Sequence, residues 1–462
     1  MLTIGRNILF SFLGTTDYKE CIYTWHGQES RPTRFVQTAI IEHLMRMFEH
    51  LEVVIFVTED ALKKNWEDGF YEDEAGEAKR GLKSCLRTIS GIRFKKVLIE
   101  NAGQSETDHW KLFDLISSEI YPNATIYFDI THSLRPNPIV ALAVINYARV
   151  IKKARYGKFL YGRLDDLSSV NHGIKGSEGK YGHARIIDFS PMMRLLDWTN
   201  GVDQFLRTGD AGRINDIVRE IQQSGEIRER PLDEREQLDQ LQTIADSLKD
   251  AGLSLTTVRG HSMKPDYPMG NQVSYVQALK HLRSAINNLT GEKSTPLYPL
   301  KRLIGEINRK FEGFGENEAM DLFYAARWCF ENGRIQQSYT FLEENIKTLL
   351  CRIHGLHDNN RHDREVVKTA IMNYKNRQIP KVGLPLCDSH DVETANRVIA
   401  TLAPYGNLFS EKYDQLRRYR NNMNHASMDH SNLKIDQLSR TMEKLLNHFK
   451  VFFQNEGLRM KK

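Results

Sequence analysis

A change of pattern near residue 190 constrains this 462-residue chain more than any single motif. Before it, short apolar runs of β type alternate with helical stretches. The runs are Ile8 to Leu13, Val53 to Val57, Phe94 to Ile99, Thr125 to Ile130, Phe159 to Tyr161 and Ala184 to Asp188. Helical stretches fall between them at Pro32 to His50, Asp73 to Ser90, Asp108 to Ile120 and Pro136 to Lys152. Strands separated by helices predict an α/β, Rossmann-like domain with a mostly parallel sheet covered on both faces. After Ser190 the β-type runs stop. Met192 to Leu206, Ile214 to Gln223, Asp233 to Ala251 and Tyr275 to Leu289 read as helices, with a loop in the Gly252 to Gly270 patch. Nearer the C-terminus, Ile335, Tyr339, Leu342, Ile346 and Leu349 recur at alternating steps of four and three, as do Leu438, Met442, Leu445, Phe449 and Phe452. Such stripes are the buried faces of amphipathic helices, so they predict an all-α region ending in a helical bundle.

The length exceeds one ordinary core, and three segments are expected: a sheet domain over 1–190, a helical connecting region over 191–316 and a terminal bundle over 317–462. Charged residues at 27% and apolar residues at 40% fit a folded soluble chain. A net charge of +5 permits a polyanionic partner without demanding one. The odd set of five cysteines, without a CxxC pair, points to a reducing cytoplasm. The apolar run Ile8 to Leu13 is too short for a membrane span, so no membrane association is expected.

Parallel sheets bind ligands beyond the carboxyl ends of their strands. Two loops fall there, Gly14-Thr15-Thr16-Asp17-Tyr18 and Thr131-His132-Ser133-Leu134-Arg135-Pro136. Hydroxyls and loop amides in both, with a histidine and an arginine in the second, suit an anionic or nucleotide ligand. The first loop lacks GxGxxG, which disfavours a dinucleotide cofactor. A tight strand exit and a helix-start turn explain the same residues structurally.

Arg420-Asn421-Asn422-Met423-Asn424-His425 carries the equipment for metal-free RNA cleavage. Histidine moves protons near neutrality, and arginine holds a phosphate as charge develops on it. On a helix Asn421 and His425 share a face, whereas Arg420 and His425 lie roughly 140° apart. One helix therefore makes an awkward site, and two facing copies make a better one. An exposed polar helix end is the plain alternative.

Cys351, His354, His357 and His362 have spacings that zinc can use, but a solvated polar loop is the favoured reading. His172 and His183 bracket a Gly/Lys-rich loop with no distinctive chemistry, and no nucleophilic triad can be drawn.

Taken together, these motifs resemble a known family. Phe-Leu-Gly-Thr-Thr-Asp-Tyr-Lys-Glu and Asp-Ile-Thr-His-Ser-Leu-Arg look like the two signature loops of CARF domains, and Arg-Asn-xxx-His resembles the catalytic motif of HEPN ribonucleases. Trp328 to Glu344 is similar to an early HEPN helix of the CRISPR-associated Csx/Csm ancillary effectors, and Asp188-Phe-Ser-Pro with Trp198 to Asp210 looks like that family's domain junction. The stretch from about Gln222 to Glu316 matches nothing nameable.

The resemblance implies a CARF sensor over 1–190 and a HEPN ribonuclease domain over 317–462. It implies a cytoplasmic endoribonuclease of type III CRISPR antiviral defence, allosterically activated by a cyclic oligoadenylate. Cyclic tetra-adenylate is favoured as activator, with the hexa-adenylate as the second option. Gly14, Thr15, Thr16, Thr131, His132, Ser133 and Arg135 would line the activator pocket. Arg420 would hold the scissile phosphate of single-stranded RNA, His425 would act as acid/base and Asn421 would orient them. Products would be a 2′,3′-cyclic phosphate and a 5′-hydroxyl, made without metal or other cofactor by a homodimer or a higher even-numbered oligomer. The rival reading is a non-enzymatic, ligand-gated nucleic-acid-binding regulator.

Overall fold

The computed structural model describes residues 6–100, 105–132, 136–164, 181–223, 232–260, 274–289, 298–315, 317–376, 378, 380–383, 385–426, 428 and 433–460. The chain divides into two compact units, Met1–Arg194 and Leu195–Lys462.

The first unit is built on one eight-stranded sheet. Its strands are β1 (Asn7–Leu13), β2 (Cys21–Trp25), β3 (Gln28–Glu29), β4 (Leu51–Val57), β5 (Ile92–Leu98), β6 (Thr125–Asp129), β7 (Arg155–Leu164) and β8 (Gly182–Asp188). They lie in the order β3-β2-β8-β7-β6-β1-β4-β5. All neighbours are parallel except β2 with β3 and β7 with β8. The expected mostly parallel α/β sheet is therefore present, followed by an all-helical region.

Alternation along β1 feeds two cores. Ile8, Phe10 and Phe12 join Val54, Phe56, Ile126 and Phe128 on one face, while Leu9 and Leu13 join Val53, Ile55, Val57 and Tyr127 on the other. Such two-sided burial is why β1 and β4 read as nearly unbroken apolar runs. Phe10 and Phe12 each lie between Phe56 and Phe128, with ring centroids 5.4–5.8 Å apart. At about 2–3 kcal/mol per buried ring, this cluster is a main source of the sheet's stability. The edge strand β5 instead carries Arg93, Lys95 and Lys96, charges that discourage pairing with another sheet.

Three local expectations are corrected. The charged stretch from Asp73 to Ser90 holds only a short helix at Leu82–Leu86, preceded by a turn pinned by an isolated Glu72–Ala78 bridge. Asp73 Oδ1 accepts from the amides of Ala75 and Glu77, so the side chain competes with helical backbone bonding. The helix expected from Pro32 runs over Val36–Met45, because Thr33 is drawn into a bridge with Cys21. β2 and β3, rich in polar and aromatic residues, were not anticipated. His183 lies on β8, at the end of the expected loop, and His172 falls outside the described residues.

In the second unit, the described residues after Leu195 form helices without strands. They include Gly212–Gln223, Leu232–Thr256, Tyr275–Asn287, Tyr298–Arg309, Glu318–Glu331, Ile335–Ile353, Arg361–Asn376, Ser389–Leu402, Gly406–Asn424 and Ile435–Met460. One continuous core runs from Trp198 to Phe453, drawing on the expected connecting region and on the terminal segment alike. Both predicted stripes are in it: Tyr339, Leu342, Ile346 and Leu349 from one helix, and Met442, Leu445, Phe449 and Phe452 from another. Among the described residues, no helix is long and apolar enough to cross a membrane.

Candidate functional sites

In the first unit, β1 is flanked by β4 on one side and β6 on the other, and the chain crosses over in opposite directions from it. That reversal opens a crevice at the carboxyl ends of β1 and β6, where an α/β sheet ordinarily takes its ligand. Gly14 and His132, from the two predicted loops, meet there. A Cβ on Gly14 would lie 3.4 Å from His132 Cβ and would clash with the Tyr18 hydroxyl, so the close approach requires glycine.

Side chains hold the first loop by its carbonyls. Asn65 Nδ2 donates to the oxygens of Gly14 (3.0 Å) and Thr16 (2.9 Å), and the Tyr71 hydroxyl donates to that of Thr15 (2.7 Å). Arg34 Nε donates to the Tyr18 oxygen at 3.2 Å. With the carbonyls turned inward, the N–H groups of Thr15, Thr16 and Asp17 donate to no acceptor among the described residues. Thr15 and Thr16 are exposed, so donors of this loop are available to an anion. Arg34 and Lys79 share Asp17, at 3.1 and 2.8 Å, leaving a local positive surplus beside the loop.

Buried bonds hold the second loop. Asp129 is fully buried, and its carboxylate accepts from Ser11 Oγ (2.6 Å), Thr131 N (2.9 Å) and Thr131 Oγ1 (2.5 Å). Burial pushes its carboxyl above the usual carboxylate range despite these bonds. Thr131 Oγ1 in turn accepts from Gly162 N at 2.8 Å, tying the loop to β7. The His132 ring packs against Tyr18 at a tilt of 33°, with centroids 4.2 Å apart. Burial lowers its pKa to about 4, and its buried Nε2 has no partner among the described residues. The imidazole is therefore neutral at pH 7 and brings no charge to the crevice. Ser133 and Arg135, the other predicted ligand residues of this loop, lie outside the described residues.

In the second unit, Arg420 and Asn421 lie on the helix Gly406–Asn424, and His425 is its C-cap. The helix ends there because Ala426 takes a left-handed conformation (φ 50°). Arg420 turns inward: Nε donates to Glu343 Oε2 at 2.6 Å, and Nη2 lies 3.7 Å from Glu344 Oε1. Both carboxylates sit on the helix Ile335–Ile353, where Lys347 also pairs with them, at 3.4 and 2.8 Å. Arg364 adds a further contact to Glu344. The Glu343 bond raises the Arg420 pKa further, so its charge is permanent. His425 is exposed, anchored through its own N–H to the Asn421 oxygen at 2.9 Å. Asn421 is half-buried, and the adjacent Asn424 accepts from Gln336 at 3.0 Å. The structure thus keeps Arg420 and His425 on one helix end without bringing their side chains to a common point.

Glu343 and Glu344 were not singled out from the sequence, although they close the Trp328 to Glu344 stretch. No local signal marks a carboxylate whose partner lies 77 residues away. Asn65, Tyr71 and Arg34, the braces of the first loop, were missed for the same reason. The less favoured zinc reading of Cys351, His354, His357 and His362 finds no support, because these four are not brought together. Cys351 is buried, which raises its thiol pKa to about 11, and His354 bonds Thr401 instead.

Comparison with known proteins bears on the first unit most directly. Residues 8–164 match the family described as CRISPR system endoribonuclease Csx1, CARF domain. The chain is also 22% identical over 309 residues to the CRISPR-associated protein MJ1674 of Methanocaldococcus jannaschii, covering 65% of this chain and 41% of that relative. The chain thus spans about two fifths of the relative's length. The crevice at the carboxyl ends of β1 and β6 lies inside the matched segment, so the N-terminal sheet is similar to the CARF domain of the Csx1 family, and the chain is similar to a CRISPR-associated protein.

Proposed function

We propose that this chain is an endoribonuclease of type III CRISPR antiviral defence, switched on when its CARF domain binds a cyclic oligoadenylate. The observation that carries the sensor half is the loop of Gly14 to Asp17, braced by its carbonyls, where the amides of Thr15, Thr16 and Asp17 have no acceptor among the described residues. A cyclic oligoadenylate offers what this crevice takes: phosphates for the amides and hydroxyls of Gly14, Thr15, Thr16 and Thr131, and adenine faces for Tyr18 and His132. Ser133 and Arg135 complete the proposed lining. Cyclic tetra-adenylate is the favoured ring, with cyclic hexa-adenylate second.

For the effector half, Arg420, Asn421 and His425 are proposed to cut single-stranded RNA in a HEPN domain. The ribose 2′-hydroxyl loses its proton to a base and attacks the adjacent phosphorus, and the bond to the 5′-oxygen breaks as that oxygen is protonated. A 2′,3′-cyclic phosphate and a 5′-hydroxyl result, and no metal is required. His425 is exposed and able to move one of these protons. Arg420 is proposed to hold the phosphate either while Glu343 positions its Nε or by giving up Glu343. Glu343 would not be stranded, because Lys347 already lies 3.4 Å from it. Since Arg420 and His425 diverge in one chain, the working site is proposed to combine two copies across a two-fold axis.

Incubation of the purified chain with labelled RNA and cyclic oligoadenylates of each ring size tests the reading. Cleavage that requires one ring size and persists in excess EDTA is expected. Duplex-DNA footprinting without RNA cleavage would favour the ligand-gated regulator instead.

A further inference from the structure

His362 is a member of the sequence cluster that does not assemble, yet it meets other metal-binding groups. It occupies the second position of the helix Arg361–Asn376, fixed by its N–H to Asn360 Oδ1 at 2.8 Å. Its Nε2 lies 3.0 Å from both carboxylate oxygens of Asp391, in the first turn of the helix Ser389–Leu402. The Cys387 thiol approaches the same point. Nε2, Sγ and a carboxylate oxygen all lie within 4.8 Å of one another.

Several bonds fix the backbone that carries the thiol, whose own Sγ donates weakly to the Pro385 carbonyl at 3.6 Å. Gly383 and Leu386 exchange both backbone hydrogen bonds at 2.8 Å, and Leu386 is buried, so the chain is anchored just before Cys387. Cys387 N then donates to Asp391 Oδ2 at 2.7 Å. Asp388 caps the following helix by accepting from Asp391 N at 2.8 Å. Imidazole, thiol and carboxylate are thereby presented from two helix starts before any ion arrives.

The geometry points to a binding site for a single Zn2+ ion, ligated by His362 Nε2, Cys387 Sγ and Asp391, with water in the fourth position. Tetrahedral zinc with bonds of about 2.0 Å to nitrogen and oxygen and about 2.3 Å to sulfur needs ligand separations of roughly 3.3–3.6 Å. The His–Asp pair opens by a few tenths of an ångström and the thiol closes by up to about 1 Å, which the exposed ends of Cys387 and His362 allow. On binding, the thiol proton and any proton on Nε2 pass to solvent, and no electron is transferred. The ion would clasp the two helices at their N-termini, a structural role separate from RNA cleavage. The sequence expectation of no metal is thereby confined to the catalytic step.

The test uses the full untagged chain, stripped with EDTA and dialysed against Zn2+ or Co2+. Uptake of about one ion per chain is expected. A thiolate-to-cobalt charge-transfer band in the near ultraviolet and a melting temperature raised by Zn2+ should accompany it. Cys387→Ser and His362→Gln alter exposed side chains and should fold normally by circular dichroism while losing at least tenfold in affinity. Wild-type chain that takes up no Zn2+, a Co2+ complex without the thiolate band, or unchanged binding by Cys387→Ser would each overturn the assignment. None of these readouts depends on the ribonuclease reading.

Discussion

Arg420 Nε and Glu343 Oε2 lie 2.6 Å apart, joining the helix Gly406–Asn424 to a carboxylate that is only 1% exposed. The residue proposed to bind the scissile phosphate is therefore already occupied by a protein anion. Its bond geometry is that of a strong, charge-assisted pair.

This pairing makes Glu343 a test of how Arg420 works. Glu343→Gln keeps the shape and removes the competing charge. If phosphate must displace Glu343, the variant should bind RNA more tightly, with KM lowered several-fold. If the carboxylate instead positions the guanidinium, kcat should fall tenfold or more with KM little changed. Arg420→Ala should lose at least a hundredfold in kcat/KM and also destabilise the fold by about 1.5–2 kcal/mol, because Glu343 loses one charged hydrogen bond but keeps Lys347. Activity and urea unfolding of the same preparations check both.

His425→Ala should abolish cleavage while leaving stability within about 0.5 kcal/mol, since the side chain is exposed. Undiminished cleavage by this variant would falsify its proposed role.

A shared site predicts dominance. Adding a fivefold excess of His425→Ala chain to wild type, followed by subunit exchange, should depress activity well below simple dilution. Activity that scales only with the wild-type fraction would argue for a site complete within one chain.

For the sensor crevice, Gly14→Val puts branched carbon against Tyr18 and His132, and activator binding should weaken at least tenfold. Asn65→Ala releases the carbonyls of Gly14 and Thr16 and should weaken binding by a similar factor, with basal folding retained. Calorimetric titration with cyclic tetra-adenylate reads both.

His132 gives the first unit an acid sensitivity of definite sign. Its pKa falls from 6.5 to about 4 on folding, so the unfolded chain takes up a proton first as pH drops. The stability linked to neutral His132 is complete above about pH 6.5 and is lost progressively toward pH 4, up to ~3 kcal/mol in total. His132→Phe should flatten this part of the stability–pH curve, measured by denaturant midpoints at successive pH values.

The sequence by itself determined six of the sheet's eight strands, their mostly parallel character and the helical second half, because apolar period is a local property that burial on both faces imposes. It also located the two crevice loops, since strand exits rich in Gly and Thr are local too. It mistook Asp73 to Ser90 for helix, where Asp73 captures the backbone amides that a helix would use. Only the tertiary structure decided which partners those loops and motifs would have. Asn65 turns the first loop's carbonyls inward, Glu343 takes Arg420, and Asp391 rather than Cys351 meets His362. Each of these pairings joins residues tens of positions apart or more, and no spacing along the chain encodes which distant helix will bring a carboxylate into reach.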